Sequence, residues 1–408
     1  MNSESIISTF DEIETNSKWL EVFYRINSKS EKQTEDLELT TNIAMEERNL
    51  DLNRYRNVLP YDQHRVRIKQ TRNENDYINA SPFNIPFANR RYILTQGPLS
   101  ETAAHFWSMI WEQNSTIIVM LNKFVEHSGK MSFVKCHAYF PTNIRDGYPV
   151  HIGTKVEFDS FSCELISEDI SDNFITRKIK LTALSSDNVE HENESRLITH
   201  FQFTRWPDFG VPESTSDFLY FLAEVRDAID SLPFSSNIPP ITIHCSAGIG
   251  RSGAFILADT VIEYFKLREK GAVSEEPPST IEDLVVSLRR YRMGLIQTPE
   301  QLQFSWRAIV DYLNSNKPNN SITTGPPKSI ERSGKKRSRN SDDSSEIIRR
   351  KEKVQEMKEK MKRHEQQRNR FFFLRWLPEE YSFSVVIFIA GVSMAMAGYC
   401  AYKFWFNR

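Results

Sequence analysis

The chain has 408 residues, and its four cysteines (Cys136, Cys163, Cys245 and Cys400) lack paired spacing, which argues against a disulfide framework or a zinc site and for a reducing compartment. A formal charge of −2 hides a split, with 33 basic against 44 acidic residues in 1–327 and 16 against 8 in 328–370. An acidic folded region must bind an anion through a local positive pocket rather than a basic surface, which excludes nucleic acid as the expected partner.

In chain order, residues 77–80 and 92–95 read as strands, and 101–113 as a helix capped by Ser100 or Thr102. A strand over 115–121 follows, then strand-like runs at 176–181 and 197–204, and helices starting near Ser216, Thr280 and Thr298. Interleaved strands and helices over residues 1–313 predict one α/β domain, a mixed and highly twisted sheet flanked by helices.

Three stretches carry chemistry. Residues 206–212, Trp206-Pro207-Asp208-Phe209-Gly210-Val211-Pro212, set a carboxylate between two prolines on a loop bounded by large aromatics. Asp208 is therefore a candidate general acid on a mobile lid. Residues 241–253 pass from a β-branched run, through a Gly-rich turn, into an apolar-faced helix. The turn, Cys245-Ser246-Ala247-Gly248-Ile249-Gly250-Arg251, combines backbone N–H groups, a helix N-terminus and a planar guanidinium into an anion site. A cysteine in that positive field is expected to act as a thiolate nucleophile. At 297–301, Thr298 as N-cap, Pro299 at the first helical position and Gln301 form a capping box that fixes Gln297 just outside a helix N-terminus.

His244-Cys245, five further residues, then Arg251-Ser252 resembles the signature of the protein tyrosine phosphatases. The resemblance runs over about residues 15–313 and is strongest to the non-receptor subfamily that includes the endoplasmic-reticulum tail-anchored and T-cell phosphatases. It implies that Cys245 takes the phosphoryl group as a phosphocysteine. The amides of 246–251 and Arg251 would hold the oxygens, and Ser252 would stabilise the departing thiolate. Asp208 would be the acid, carried on a lid with Trp206, Pro207 and Phe209, and Gln297 would position the hydrolytic water. In the loop at 53–62, NRYRNVLPYD, the resemblance implies that Tyr55 stacks on the substrate's phenyl ring and sets a depth phosphoserine cannot span. Arg56 and Asn57 would contact substrate beside it, Asn57 standing where some members carry an acidic residue. Arg289 matches one arginine of a secondary phosphotyrosine site, while Asn27 stands where its partner arginine would be. Residues 127–135 are longer than the family's usual connection. No metal or organic cofactor is implied. The expected partners are phosphotyrosine proteins, receptor or cytoplasmic tyrosine kinases and their substrates among them.

Two other readings carry their own conditions. A protein that traps phosphotyrosine without turnover would have lost the Cys, Arg or Asp, and all three are present. An enzyme acting on phosphoserine or phosphoinositide would resemble relatives that usually lack the Tyr55 loop.

Beyond residue 313 the composition changes. Residues 314–378 are polar and basic, and read as a largely disordered linker, though a membrane adaptor would have this as its working part. Its run at 335–339, KKRSR, reads as either a nuclear-import signal or a contact for anionic lipid. Residues 383–402 carry no charge, and twenty residues at about 1.5 Å each span a hydrocarbon core of about 30 Å. The expected arrangement is a tail anchor that holds residues 1–378 on the cytosolic face of an internal membrane, with the endoplasmic reticulum expected. A form lacking it would be free to enter the nucleus.

Overall fold

Three of the four residues in 241–244 are β-branched and all four are buried, so this short strand belongs at the centre of a sheet covered on both faces. The computed structural model describes residues 1–69, 75–128, 131–142, 151–184, 194–207, 210–232 and 238–316. Its helices are α1 Ser3–Thr15, α2 Trp19–Asp36, α3 Ala103–Glu112, α4 Ser216–Asp230, α5 Gly250–Glu269, α6 Ile281–Arg289 and α7 Pro299–Ser315. Its strands are β1 Ala80–Ile85, β2 Arg90–Thr95, β3 Ile117–Met120, β4 Val125–Ser128, β5 Met131–Val134, β6 Lys155–Phe158, β7 Phe161–Ile170, β8 Phe174–Ala183, β9 Ser195–Phe203 and β10 Ile241–His244.

Among the described residues the main sheet runs β1-β2-β10-β3-β9-β8-β7-β6, and β4 pairs with β5 as a separate hairpin. The four central strands, β2, β10, β3 and β9, are parallel. Antiparallel pairs extend the sheet on both sides. The fold is thus the expected mixed α/β sheet flanked by helices. Period-two alternation divides each central strand between two cores. Ile117 and Val119 of β3 join the cluster with α4, α5, α6 and α7, whereas Ile118 and Met120 face Phe106, Trp107 and Ile110 of α3. In open parallel sheets ligands collect outside the carboxyl ends of the strands. The turn after β10 lies at that edge.

One strand begins later than its residue types predict. Tyr77 makes only an isolated bridge to Arg67, and the strand expected at 77–80 starts at Ala80. There the Ala80 N–H folds back on Ile78 O, and the Asn79 amide is drawn into buried bonds with Asn53 and the Val58 carbonyl. Helix α3 starts at Ala103, directly after Thr102, one of the two expected caps, although the Thr102 hydroxyl accepts from the Leu99 N–H behind it and not from the helix's first turn. Strands β3, β8, β9 and β10, and helices α4, α6 and α7, begin within about two residues of the expected positions. No helix among the described residues is long and apolar enough to cross a membrane. The expected linker and span, 314–378 and 383–402, lie outside the described residues apart from the end of α7.

Candidate active site

The turn after β10 is shaped by what its glycines permit. Gly248 has φ +73°, and a side chain there would put Cβ 2.1 Å from Thr95 O, so neither the conformation nor the space admits another residue. A Cβ on Gly250 would lie 2.6 Å from Gln297 Oε1. With these constraints met, the loop wraps Cys245, whose buried sulfur accepts from the Gly248 N–H at 3.2 Å. Helix α5 begins at Gly250, so its first turn of unpaired N–H groups also opens toward the cradle. Burial pushes the thiols of Cys136 and Cys163 up, keeping them protonated at neutral pH.

A buried arginine holds the outside of this loop. Arg292 donates from Nε to Gly248 O at 2.9 Å and from Nη2 to Ala247 O at 3.1 Å, and reaches Asn79 Oδ1 at 2.8 Å. With those carbonyls turned outward onto Arg292, the N–H groups of the same peptides are left for the inside. Burial without a carboxylate partner pushes the Arg292 guanidinium down to about 10, still charged at neutral pH.

Arg251 is aimed by Glu126 of β4, which takes both of its terminal nitrogens, one of them at 3.0 Å. The same guanidinium donates to Leu121 O at 3.2 Å and to Pro207 O at 3.3 Å, and lies 5.8 Å from the Trp206 ring centroid. Arg251 therefore ties the cradle to the start of the 206–212 loop. Trp206 is buried among Phe203, Phe218 and Phe304, and its Nε1 donates across the loop to Gly210 O at 3.1 Å. Asp208 and Phe209, the expected acid and its neighbour, lie outside the described residues.

Tyr55 stands beside the cradle, its hydroxyl 2.8 Å from Ser246 Oγ. Because Ser246 Oγ donates to Lys135 O at 3.0 Å, the serine is the acceptor and Tyr55 the donor. The Tyr55 loop is anchored by Arg54, which donates to the carbonyls of Gly97 and Pro98 at 2.8 and 2.7 Å, and by the buried Asn53 amide. Arg56 and Asn57 follow on the exposed side.

Gln297 sits over Gly250, positioned through the cap. Gln301 N–H donates to Thr298 Oγ1, as the capping box predicts, but Gln301 Oε1 reaches one residue further back and accepts from the Gln297 N–H at 2.9 Å. Ser252 Oγ is buried and has no hydrogen-bond partner among the described residues, so its proton is uncommitted. Arg289 is placed differently from the rest. It is buried beneath the turn before α7 and donates to Leu295 O, Ile296 O and Asn27 Oδ1 at 2.9, 3.0 and 2.7 Å. Burial lowers it to about 10.

Sequence reasoning missed a second polar chain behind Cys245. His244 Nδ1 faces Cys245 O at 3.2 Å, and its Nε2 lies 2.7 Å from the Tyr139 hydroxyl, which lies 2.8 Å from His200 Nε2. Burial lowers His244 to about 4 and His200 further below its usual value, so both rings are neutral. One assignment then satisfies the chain. His244 is protonated on Nδ1, Tyr139 donates to its Nε2, and His200 donates from Nε2 to Tyr139. That leaves His200 Nδ1 without a proton, and it has no hydrogen-bond partner among the described residues. Glu126, Arg292, Tyr139 and His200 carry no local signal, since each meets its partner across 44 or more positions.

The arrangement can seat a tetrahedral oxyanion against one sulfur, with an arginine and a ring of amides around it and Gln297 above Gly250. The sequence matches known proteins. The sequence model for the family described as protein-tyrosine phosphatase matches residues 49–311. The chain is 41% identical over 309 residues to tyrosine-protein phosphatase non-receptor type 2 of Mus musculus, covering 76% of this chain and 67% of that one. Against the Homo sapiens protein of the same name it is 41% identical over 302 residues, 74% and 64% of the two. With tyrosine-protein phosphatase non-receptor type 61F of Drosophila melanogaster it shares 37% over 294 residues, 72% and 49%. The chain thus spans about two thirds or less of the length of these relatives. A cysteine cradle of this geometry, within a matched domain that includes the Tyr55 loop and the glutamine turn, leaves one assignment: the chain belongs to the protein-tyrosine phosphatase family of hydrolases.

Proposed function

We propose that this chain removes phosphate from phosphotyrosine in proteins by two displacements at Cys245. In the first, the sulfur attacks phosphorus, the S–P bond forms as the P–O bond to the phenol breaks, and Asp208 gives its proton to the leaving oxygen. That proton is needed because a phenol, with a pKa of about 10, leaves poorly as an anion at neutral pH. In the second, water held by Gln297 attacks phosphorus, Asp208 as carboxylate takes its proton, and the S–P bond breaks. Ser252, with its uncommitted hydroxyl, donates to the departing thiolate. Through both steps Arg251 and the 246–251 amides meet the equatorial oxygens, where charge is greatest. Tyr55 sets the depth of the site and so its preference for tyrosine.

The observation that carries this reading is the lock on Arg251, which Glu126 aims into the cradle that holds Cys245. The test is phosphate release by the full chain from phosphotyrosine and phosphoserine peptides without added metal. Release from phosphotyrosine alone, abolished in Cys245→Ser, is the expected result. Equal rates on both peptides, or turnover that survives the substitution, would overturn it.

The uncharged stretch 383–402 and the basic stretch before it support a tail anchor with the catalytic domain on the cytosolic face of an internal membrane, the endoplasmic reticulum first. Microscopy of the chain with and without residues 380–408 tests this. A punctate or reticular pattern that becomes diffuse and nuclear on deletion is expected, and an unchanged distribution would refute it.

A further inference from the structure

The hairpin β4–β5 is joined to the cradle along both strands. On β4, Glu126 grips Arg251. On β5, Val134 O accepts from Arg54 Nη1 at 3.3 Å, and the next carbonyl, Lys135 O, accepts from Ser246 Oγ. The hairpin is therefore part of the rim of the site.

Its register decides which side chains face that site. Glu126 lies opposite Phe133, and His127 opposite Ser132. Directly opposed residues of an antiparallel pair project from the same face, with Cβ atoms about 5 Å apart. Phe133 and, two residues earlier, Met131 thus share the face that sends Glu126 to Arg251. His127 and Ser132 occupy the other face, where their side chains meet at 3.0 Å. Unlike Glu126, the two apolar residues are uncovered. Met131 is 61% exposed and Phe133 41%, with the Lys135 ammonium 5.4 Å from the Phe133 ring centroid. Apolar side chains held by a fixed strand at the mouth of a binding site are a surface for a ligand that must cross that mouth.

The occupant follows from the reaction. A phosphotyrosine that reaches Cys245 brings its own chain across the rim, and an extended segment advances about 3.3 Å per residue. We propose that Phe133 and Met131 form an apolar shelf that receives an apolar side chain within four residues of the phosphotyrosine, giving this phosphatase a preference for apolar-flanked sites. The inference rests on the phosphotyrosine reading, and its test separates the two.

The test measures kcat/KM of the full chain for polar-flanked phosphotyrosine peptides carrying one leucine at each position from four before to four after the phosphotyrosine. A small aryl phosphate with no flanks serves as control. The wild type is expected to favour leucine at one or more positions by about tenfold, the scale of one apolar contact in a site. Met131→Ser with Phe133→Ser should erase that preference while aryl phosphate turnover stays within about twofold, and Phe133→Leu should keep it. Absence of any leucine preference in the wild type, or its survival in the double variant, would overturn the proposal. So would an equal loss on all peptides and on the aryl phosphate, which would make the hairpin only a support for Glu126. Failure of the wild type to hydrolyse the aryl phosphate would instead overturn the phosphatase reading.

Discussion

Ile296 has φ +62°, a left-handed conformation that a β-branched residue rarely adopts. It is held there from both sides. Its N–H donates to Ile249 O at 2.9 Å, and its carbonyl accepts from Arg289, which also takes the carbonyl of Leu295. Such strain is worth on the order of 1–3 kcal/mol and persists only where surrounding contacts over-determine it. Here the strained residue immediately precedes Gln297. Arg289 thus acts as the clamp of the turn that carries Gln297, the proposed water-positioning residue, with three of its nitrogens committed inward. Arg289→Ala should lower unfolding free energy by about 2–4 kcal/mol, the loss of charge-assisted bonds in a buried site. It should also slow the second displacement more than the first, so rapid quenching would show a retained burst with a reduced steady rate. A variant with wild-type stability and steady rate would contradict this. At this scale Cys245, Arg251, the Trp206 loop and Gln297 stand out in the sequence because each lies in a short run of unusual residues, while Asp208 and Phe209 lie outside the described residues. Arg292, Glu126, Tyr139 and His200 do not stand out, because one arginine among many, or one acid in a strand, acquires meaning only from a partner the fold supplies.

Among the elements, the β-branched runs at 115–121 and 241–243 mark central strands, whereas the sequence reading placed no helix over α1 or α2, whose solvent-facing residues are mostly polar. Several of their apolar side chains are nevertheless buried. Ile6, Phe10 and Ile13 of α1 enter the main core, and Trp306 of α7 donates from Nε1 to Ile6 O at 3.2 Å. Helix α2 is pinned to α6 by Arg25 with Glu282 and Lys29 with Asp283, both partly solvent-facing and so of small net value. Burying Ile6, Phe10 and Ile13 contributes roughly 5 kcal/mol. Removing residues 1–18 should therefore lower the urea midpoint sharply without altering any residue of the cradle. An unchanged midpoint would show that α1 is only an appendage. The β4–β5 hairpin was hidden for another reason: Met131 and Phe133 alternate with Ser132, but so short a run, exposed along its whole length, does not separate a strand from a loop.

For the molecule as a whole, pH acts first through histidine. Burial holds His244 near 4 and His200 well below its ordinary value, while in the unfolded chain both titrate near 6.5. Between these limits the unfolded state binds the extra protons, so stability must fall as pH drops from about 6.5 towards 4, by on the order of 3 kcal/mol for His244 alone. Urea midpoints at pH 7.5 and pH 5 should show the decline, and a flat profile would contradict neutral burial of the pair. The proposed reaction turns on one atom, the sulfur of Cys245, which would carry the phosphoryl group between tyrosine and water. Its most direct test is rapid acid quenching of the full chain with a phosphotyrosine peptide labelled in the phosphate. Label bound to protein at Cys245, appearing as the dephosphorylated peptide is released and decaying as free phosphate forms, is the predicted result. Turnover that proceeds with no protein-bound label, or label that persists in Cys245→Ser, would contradict it.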